Sequence, residues 1–321
     1  MLNIGIVGTG NIATNVYGPL FKDIPDIQLW SVLSRQFKNA QDYATTFNAA
    51  APNPIFTDLN SFFKDPLLDA VIICVTDKLH YKYIKHAVEN NIHVMCEKPI
   101  VHDEFHLNLL EQLLNDSPIV LSTCLQHRWH NGISLLRNKI LAQHVLGKVH
   151  HMRVSWRNNI HDKNNWRASS KTNNMWSTAA MGPHCFDLVR WFMSPIHGEP
   201  KIIRNIHGSP FWNADNDEIS STLIGYSSGA IAEVFTSVLG QPNSSIEIIG
   251  SEGHVTATDV LGAHGQGSIL INDEELNFEP QNPFKGLMNN FIDSISKNKV
   301  PECNIKVASE NVRDLFRAFN L

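Results

Sequence analysis

Short apolar runs alternate with helix-period stretches over the first 124 residues. The runs fall at Asn3–Val7, Ile27–Leu33, Ala70–Val75, Ile92–Cys96 and Ile119–Cys124, with a weaker one near Ile55. Helical patterns separate them at Asn11–Phe21, Phe37–Phe47, His80–Glu89 and Glu104–Leu114. Strands alternating with helices predict βαβ units and a parallel sheet, and unbroken apolar strands predict a sheet covered on both faces.

After Cys124 the pattern changes. A helix near Ile133–Gln143 leads into an alternating strand, Lys148–Trp156, then an Asn- and Ser-rich loop from Asn158 to Thr178 and a helix at His184–Met193. Strands follow in series at Lys201–Ile206, Glu218–Tyr226, Ala230–Leu239, Ser245–Ile249 and His254–Thr258, and helices at Phe284–Ser296 and Val307–Phe319 close the chain. The predicted fold class is therefore α/β. A Rossmann-like, doubly wound parallel sheet occupies residues 1–123. An α+β domain with a large, mainly antiparallel, open-faced sheet occupies 124–321, for substrate binding and oligomerisation. A sheet with one open face predicts a homodimer or homotetramer.

Composition narrows the function classes. A net charge of −5 gives no basic footprint for nucleic acid. No apolar run approaches the roughly 20 residues of a membrane span, and the first residues lack a secretory-leader profile. Five cysteines, odd in number and mostly in apolar runs, predict buried reduced thiols and a cytoplasmic protein.

The stretch NIGIVGTGNIA carries the first chemistry. Gly8, Gly10 and Ala13 satisfy G-x-G-x-x-A between a strand and a helix. Gly8 allows a tight turn, and Gly10 lets the backbone approach a pyrophosphate seated at the helix start, beside Asn11 and Ile12. The second strand then ends in Ser34-Arg35, with Lys38 beyond, where NAD enzymes place an acid. A hydroxyl, a guanidinium and an ammonium suit a 2′-phosphate, so NADP is favoured over NAD.

HVMCEKPIV (93–101) raises a different point. A lysine at the end of an interior strand is costly unless its charge is used. Lys98 falls at the carboxyl edge of the sheet, where doubly wound folds bind ligands, and there it can transfer a proton to or from a substrate oxygen. His102 and His106 are spaced i, i+4, but a solvated helix face is the reading, and no metal is expected. GAHGQG (262–267) reads as a hairpin loop, and Trp156, Trp166 and Trp176 flank the 158–178 loop as either a sugar platform or packing.

Glu97-Lys98-Pro99, the GTGNIA loop and MGPHCFDLVRWF (181–192) together resemble the Gfo/Idh/MocA oxidoreductase family. ICVTDKLHY (73–81), QHRWHNG (126–132), GKVHHMRVSWR and NNWR extend the resemblance over nearly the whole chain. It implies hydride transfer between NAD(P) and a carbonyl or secondary alcohol of a sugar, inositol or similar small molecule. It implies proton transfer by Lys98, placement of Lys98 and the nicotinamide ribose by Glu97, and cofactor contacts from Val75, Thr76 and His80. His184 fills the histidine of the family's D-x-x-x-H motif, as a catalytic or substrate-positioning residue. Arg128, Trp166 and Arg167 are implied as substrate-binding, and Asp187, one helical turn after His184, as a substrate-binding residue, as an orienter of His184 or as a structural residue. The motif's aspartate position holds Ala180, which can neither orient a hydroxyl nor tune the lysine. That departure keeps open a catalytically silent cofactor-binding sensor with a protein partner, and an NAD-dependent glycosidase.

Overall fold

The computed structural model describes residues 1–160, 165–169 and 175–320. The chain forms two compact units, one of Met1–Cys124 with Phe284–Ser309, the other of Leu125–Pro283 with Glu310–Leu321.

In the first unit, β1 (Leu2–Val7), α1 (Gly18–Asp23), β2 (Ile27–Leu33), α2 (Phe37–Thr46), β3 (Ile55–Phe56), α3 (Leu59–Phe63), β4 (Ala70–Ile73), α4 (His80–Glu89), β5 (His93–Cys96), α5 (Glu104–Leu114) and β6 (Leu121–Thr123) follow in order. The strands make one parallel sheet in the order β3-β2-β1-β4-β5-β6. The order reverses beside β1, so a crevice opens at the carboxyl ends of β1 and β4, the switch point where such sheets bind ligands. All four residues of β4, Ala-Val-Ile-Ile, are buried, as a strand covered on both faces requires.

The second unit begins with α6 (Asn131–Leu141), β7 (Val149–Arg157), α7 (Trp166–Ser169) and α8 (Ser177–His197). Then come β8 (Pro200–Gly208), β9 (Ile219–Tyr226), β10 (Ile231–Ser237), β11 (Asn243–Gly250), β12 (Gly253–Thr258), β13 (Ser268–Ile271) and β14 (Glu274–Glu275). Their order is β14-β13-β12-β11-β7-β10-β9-β8, antiparallel except for β7 with β10. The 158–178 loop reading lies partly outside the described residues.

Register explains the sheet's two faces. Ile203, Ile224, Ala232, Met152, Ile248 and Val255 stand in one cross-strand row, and all are buried. With α8 they form the unit's core. One residue out of phase, Ile202, Ile206, Leu223, Ile231 and Ile249 share the opposite face and are exposed.

α8 starts seven residues before the expected His184. The helix runs through Gly182 and Pro183. The buried Asp217 carboxylate accepts from the Trp176 and Thr178 amides and from the Ser177 and Thr178 hydroxyls, which fixes the first turn. The Pro183 carbonyl accepts from the Asn311 amide at 2.7 Å.

Two helices finish the chain, α9 (Pro283–Ser296) and α10 (Ile305–Phe319). The division differs from the expected boundary at 123/124, because Phe284–Ser309 returns to the first unit. Phe284 meets Tyr17 edge-on at 5.9 Å, and the Thr123 amide donates to the Cys303 carbonyl at 2.8 Å. The later turns of α10 are tied to α8 by Arg190, which pairs with Asp314 and Glu310 and also with Glu199. All five cysteines are buried and free, and no helix among the described residues is long and apolar enough to cross a membrane.

Candidate functional site

The glycine loop leaves β1 at the switch point. Gly8 has φ +92°, and a Cβ there would lie 2.7 Å from the Cys74 carbonyl oxygen, so both backbone shape and close packing demand glycine. At Gly10 a Cβ would meet nothing within 4 Å. The chain is helical from Asn11, so the amides of Asn11 and Ile12 lie at a helix start beside that open space, as an anionic pyrophosphate requires. Thr9 and Ser34 bring their hydroxyls to 3.3 Å, and Arg35 and Lys38 are exposed just beyond the end of β2. These residues fit a dinucleotide.

The helix after the loop opens with a wide turn, Ala13–Tyr17, in which the Ala13 carbonyl accepts from the Gly18 amide and the Tyr43 hydroxyl. The turn brings Tyr17 to Glu97, to which it donates at 3.0 Å. Burial, and then nearby Cys124 and Glu97, push the Tyr17 phenol well above its ordinary value, so it keeps its proton and donates. The Lys98 amide donates to the other Glu97 oxygen at 3.3 Å. Lys98 itself is half-buried at the exit of β5, and its peptide bond to Pro99 is cis.

His80 was expected at the cofactor. It is buried, with Nδ1 2.9 Å from the Pro99 carbonyl and Nε2 3.1 Å from the Val75 carbonyl. It therefore lies between the turns after β4 and β5, the one N–H of the neutral ring donating to one of these carbonyls, and Val75 and Thr76 stand in the first of these turns. Burial lowers its basicity against the opposing pull of Asp77 and the two carbonyls. Buried His130 in the second unit is lowered for the same reason. A group with a depressed folded-state pKa contributes stability in full above its ordinary value of 6.5 and loses it as pH falls through the folded value. We expect the urea midpoint to fall on acidification from about pH 7.5 to about pH 5.5, less steeply in His80→Asn. An equally steep decline in that variant would show that His80 does not contribute.

In the second unit, His184 lies on α8 and is buried. Its ring is edge-on to His127 at 4.8 Å and tilted to Trp156 at 5.6 Å. His127 Nε2 accepts from the Gly262 amide at 2.9 Å, so in the neutral ring the proton sits on Nδ1. The core-facing row of the sheet turns polar here, with Thr236 and Ser244 flanking Trp156.

Of the roles open to Asp187, the structure shows the structural one: both its oxygens accept from Arg128, at 2.9 Å from Nε and 2.6 Å from Nη2, and the pair is buried. Asp187 thus anchors Arg128. Arg167 stacks over Trp166 at 4.1 Å, with Trp166 41% exposed. The three tryptophans do not form one platform: Trp176 is fully buried on Trp212, whereas Trp156 adjoins His184. His102 and His106 both contact Asp103, at 2.8 Å each. Tyr17 and His127 were not singled out from sequence, since their partners lie 80 and 135 residues away.

Comparison with known proteins matches both domains. Residues 2–117 match the model of the oxidoreductase family with an NAD-binding Rossmann fold, and residues 137–256 match the GFO/IDH/MocA C-terminal domain. Oxidoreductase P35 of Formosa agariphila is 24% identical over 210 residues, 62% of this chain, and the match spans 63% of that protein, less than two thirds of its length. Myo-inositol 2-dehydrogenase of Thermotoga maritima is 20% identical over 282 residues, 85% of this chain and 79% of that one. The crystal structure of aldose-aldose oxidoreductase from Caulobacter crescentus, complexed with glycerol, superposes with a TM-score of 0.89 at 17% identity, covering 99% of this chain and 97% of the other. With both domain models matched in order along one chain that carries the glycine loop and the Glu97-Lys98-Pro99 turn, this protein belongs to the Gfo/Idh/MocA family of oxidoreductases.

Proposed function

We propose that the protein is an NADP-preferring dehydrogenase or reductase acting on a secondary alcohol or carbonyl of a neutral polyhydroxylated small molecule. Lys98 carries the reading. Its main chain is held on both sides: the Glu97 amide donates to the Ile73 carbonyl at 3.0 Å, and the Pro99 carbonyl meets His80. A primary amine so placed gives a proton to the substrate oxygen on reduction and removes it on oxidation. The cofactor, when bound, would supply the hydride as NADPH on reduction and accept it as NADP+ on oxidation. Gly8, Gly10, Asn11 and Ile12 would hold its pyrophosphate, and Ser34, Arg35 and Lys38 its 2′-phosphate. His184 orients a substrate hydroxyl, with His127 and Trp156 fixing its ring. The names of the Thermotoga and Caulobacter relatives point to inositols and aldoses as the first compounds to try.

The test follows reduced-nicotinamide absorbance over a panel of inositols, aldoses and glycosides with each cofactor. Turnover faster with NADP than with NAD is expected, and Arg35→Asp should weaken NADP about tenfold or more while changing NAD less, as loss of a charge-assisted contact implies. Equal effects on both cofactors would remove the 2′-phosphate role. Ala180 favours a second reading, a sensor with this fold; it predicts tight NADP binding with no turnover of any panel member.

We further propose that the open sheet face forms a homodimer or homotetramer interface. Ile202, Ile206, Leu223, Ile231 and Ile249 expose a shared apolar surface there. Light scattering should give a mass of two or four chains, and a mass of one would exclude the interface. Five buried thiols suit a cytoplasmic setting.

A further inference from the structure

The second unit contains a cleft of about 550 Å³, well within the range of small-molecule sites. Its lining includes Trp156, Asn158, Asp259, His264 and Gln266, together with the rest of the GAHGQG loop, which the reaction described above leaves without a role. That loop is a built wall. Gly265 has φ +61°, and a Cβ there would lie 1.9 Å from the Gln281 carbonyl oxygen; Gly267 has φ +122°. Two histidines clamp it: His127 Nε2 accepts from the Gly262 amide, and His130 Nε2 lies 2.9 Å from the Gln266 carbonyl. The Ser244 hydroxyl accepts from the Leu261 amide at 3.0 Å. His130 also caps α6, since its Nδ1 accepts from the Ile133 amide at 3.3 Å.

The cleft adjoins the substrate residues through one side chain. Trp156 lines it and lies 5.6 Å from the His184 ring. His127, which holds the loop, touches both rings, at 5.4 Å from Trp156 and 4.8 Å from His184. Trp156 and His127 therefore link this cleft to His184.

The lining specifies the ligand. An indole face stacks on the C–H patch of a pyranose. Asn158, Gln266, His264 and Asp259 offer both donors and acceptors to hydroxyls. Among the described lining residues, Arg157 and Asp259 carry opposite charges, so nothing there selects a phosphate or a uronate.

We propose that this cleft is a subsite for the second ring of a neutral glycoside, and hence that the enzyme prefers disaccharides or larger glycosides to free monosaccharides. The proposal rests on the polyol-oxidoreductase reading. The test compares kcat/KM for methyl glycosides and for the matching disaccharides, in the full-length protein with NADP, and in a variant carrying Asp259→Asn and His264→Ala. Wild type should prefer disaccharides about tenfold or more, and the ratio should fall toward one in the variant, the order expected for two lost hydrogen bonds. A wild-type preference for methyl glycosides, or a ratio the substitutions leave unmoved, overturns the subsite. Should neither panel turn over, calorimetry with the same disaccharides decides. Binding that the substitutions abolish sustains the subsite and sinks only the redox reading, whereas no binding overturns the subsite itself.

Discussion

Replacing Lys98 by methionine is expected to lower kcat about a thousandfold while leaving NADP affinity within a few-fold, the range in which a positioned acid or base contributes. Methionine keeps the stem's length and removes the ammonium, so the proton must come from water. The backbone of residue 98 should not move. The strand before it is paired on both sides, with the Glu97 amide on the Ile73 carbonyl and the Cys124 amide on the Cys96 carbonyl, both near 3.0 Å. The Glu97 side chain is separately held by Tyr17. The proposed cofactor contacts at Gly8, Gly10 and Arg35 belong to other loops. Steady-state rates, with cofactor titrations by fluorescence, separate the two effects. A variant that keeps a tenth or more of the wild-type kcat would remove Lys98 from the chemistry, and one that loses cofactor binding in parallel would make it a cofactor-binding residue instead.

Several elements could be read from the chain to the residue because a local signal marks each end. α4 and α5 have the expected bounds, and α5 is capped by Asp103, whose carboxylate accepts from the His106 amide at 2.7 Å. β2 ends where its apolar run ends. Elements whose cause is distant were not legible. α8 begins at Ser177 because Asp217, forty residues on, supplies the acceptors for its first turn. β13 and β14 exist by pairing at the sheet's edge, and α3 is a single five-residue turn. The candidate site divides in the same way. Gly8, Gly10 and Lys98 could be placed at strand ends from the sequence because each stands just after its own apolar run, β1 for the glycines and β5 for the lysine. His80 and Asp187 were correctly placed in the chain, but their partners are backbone carbonyls and an arginine 59 residues away, and those partners decide what each side chain does.

That distinction makes Asp187 the most informative position in the second unit. Arg128 and Asp187 have side-chain exposures of 8% and 3%, and two parallel N–H···O bonds join them. Truncating the acid leaves a guanidinium in low dielectric without its counter-charge, a loss of about 3–5 kcal/mol for a buried pair. Asp187→Ala should therefore lower the urea midpoint sharply. Replacing both partners, with Arg128→Met and Asp187→Leu, should recover most of the loss, because the desolvation penalty of both charges disappears with the pair. A substrate-binding aspartate predicts the reverse pattern: Asp187→Ala would raise KM with little change in stability, and the double replacement would rescue nothing. Unfolding curves for the three proteins, together with KM for whichever polyol the panel identifies, distinguish these outcomes. The stability pattern is expected because α8 carries both residues of interest within one turn: His184 lies against His127 and Trp156, and Asp187 grips Arg128 on the segment that also bears His127. Loosening the Arg128 anchor should thus shift His127 as well, and a kcat loss in Asp187→Ala that the double replacement also repairs would show that the ion pair serves catalysis by holding the histidine pair in place.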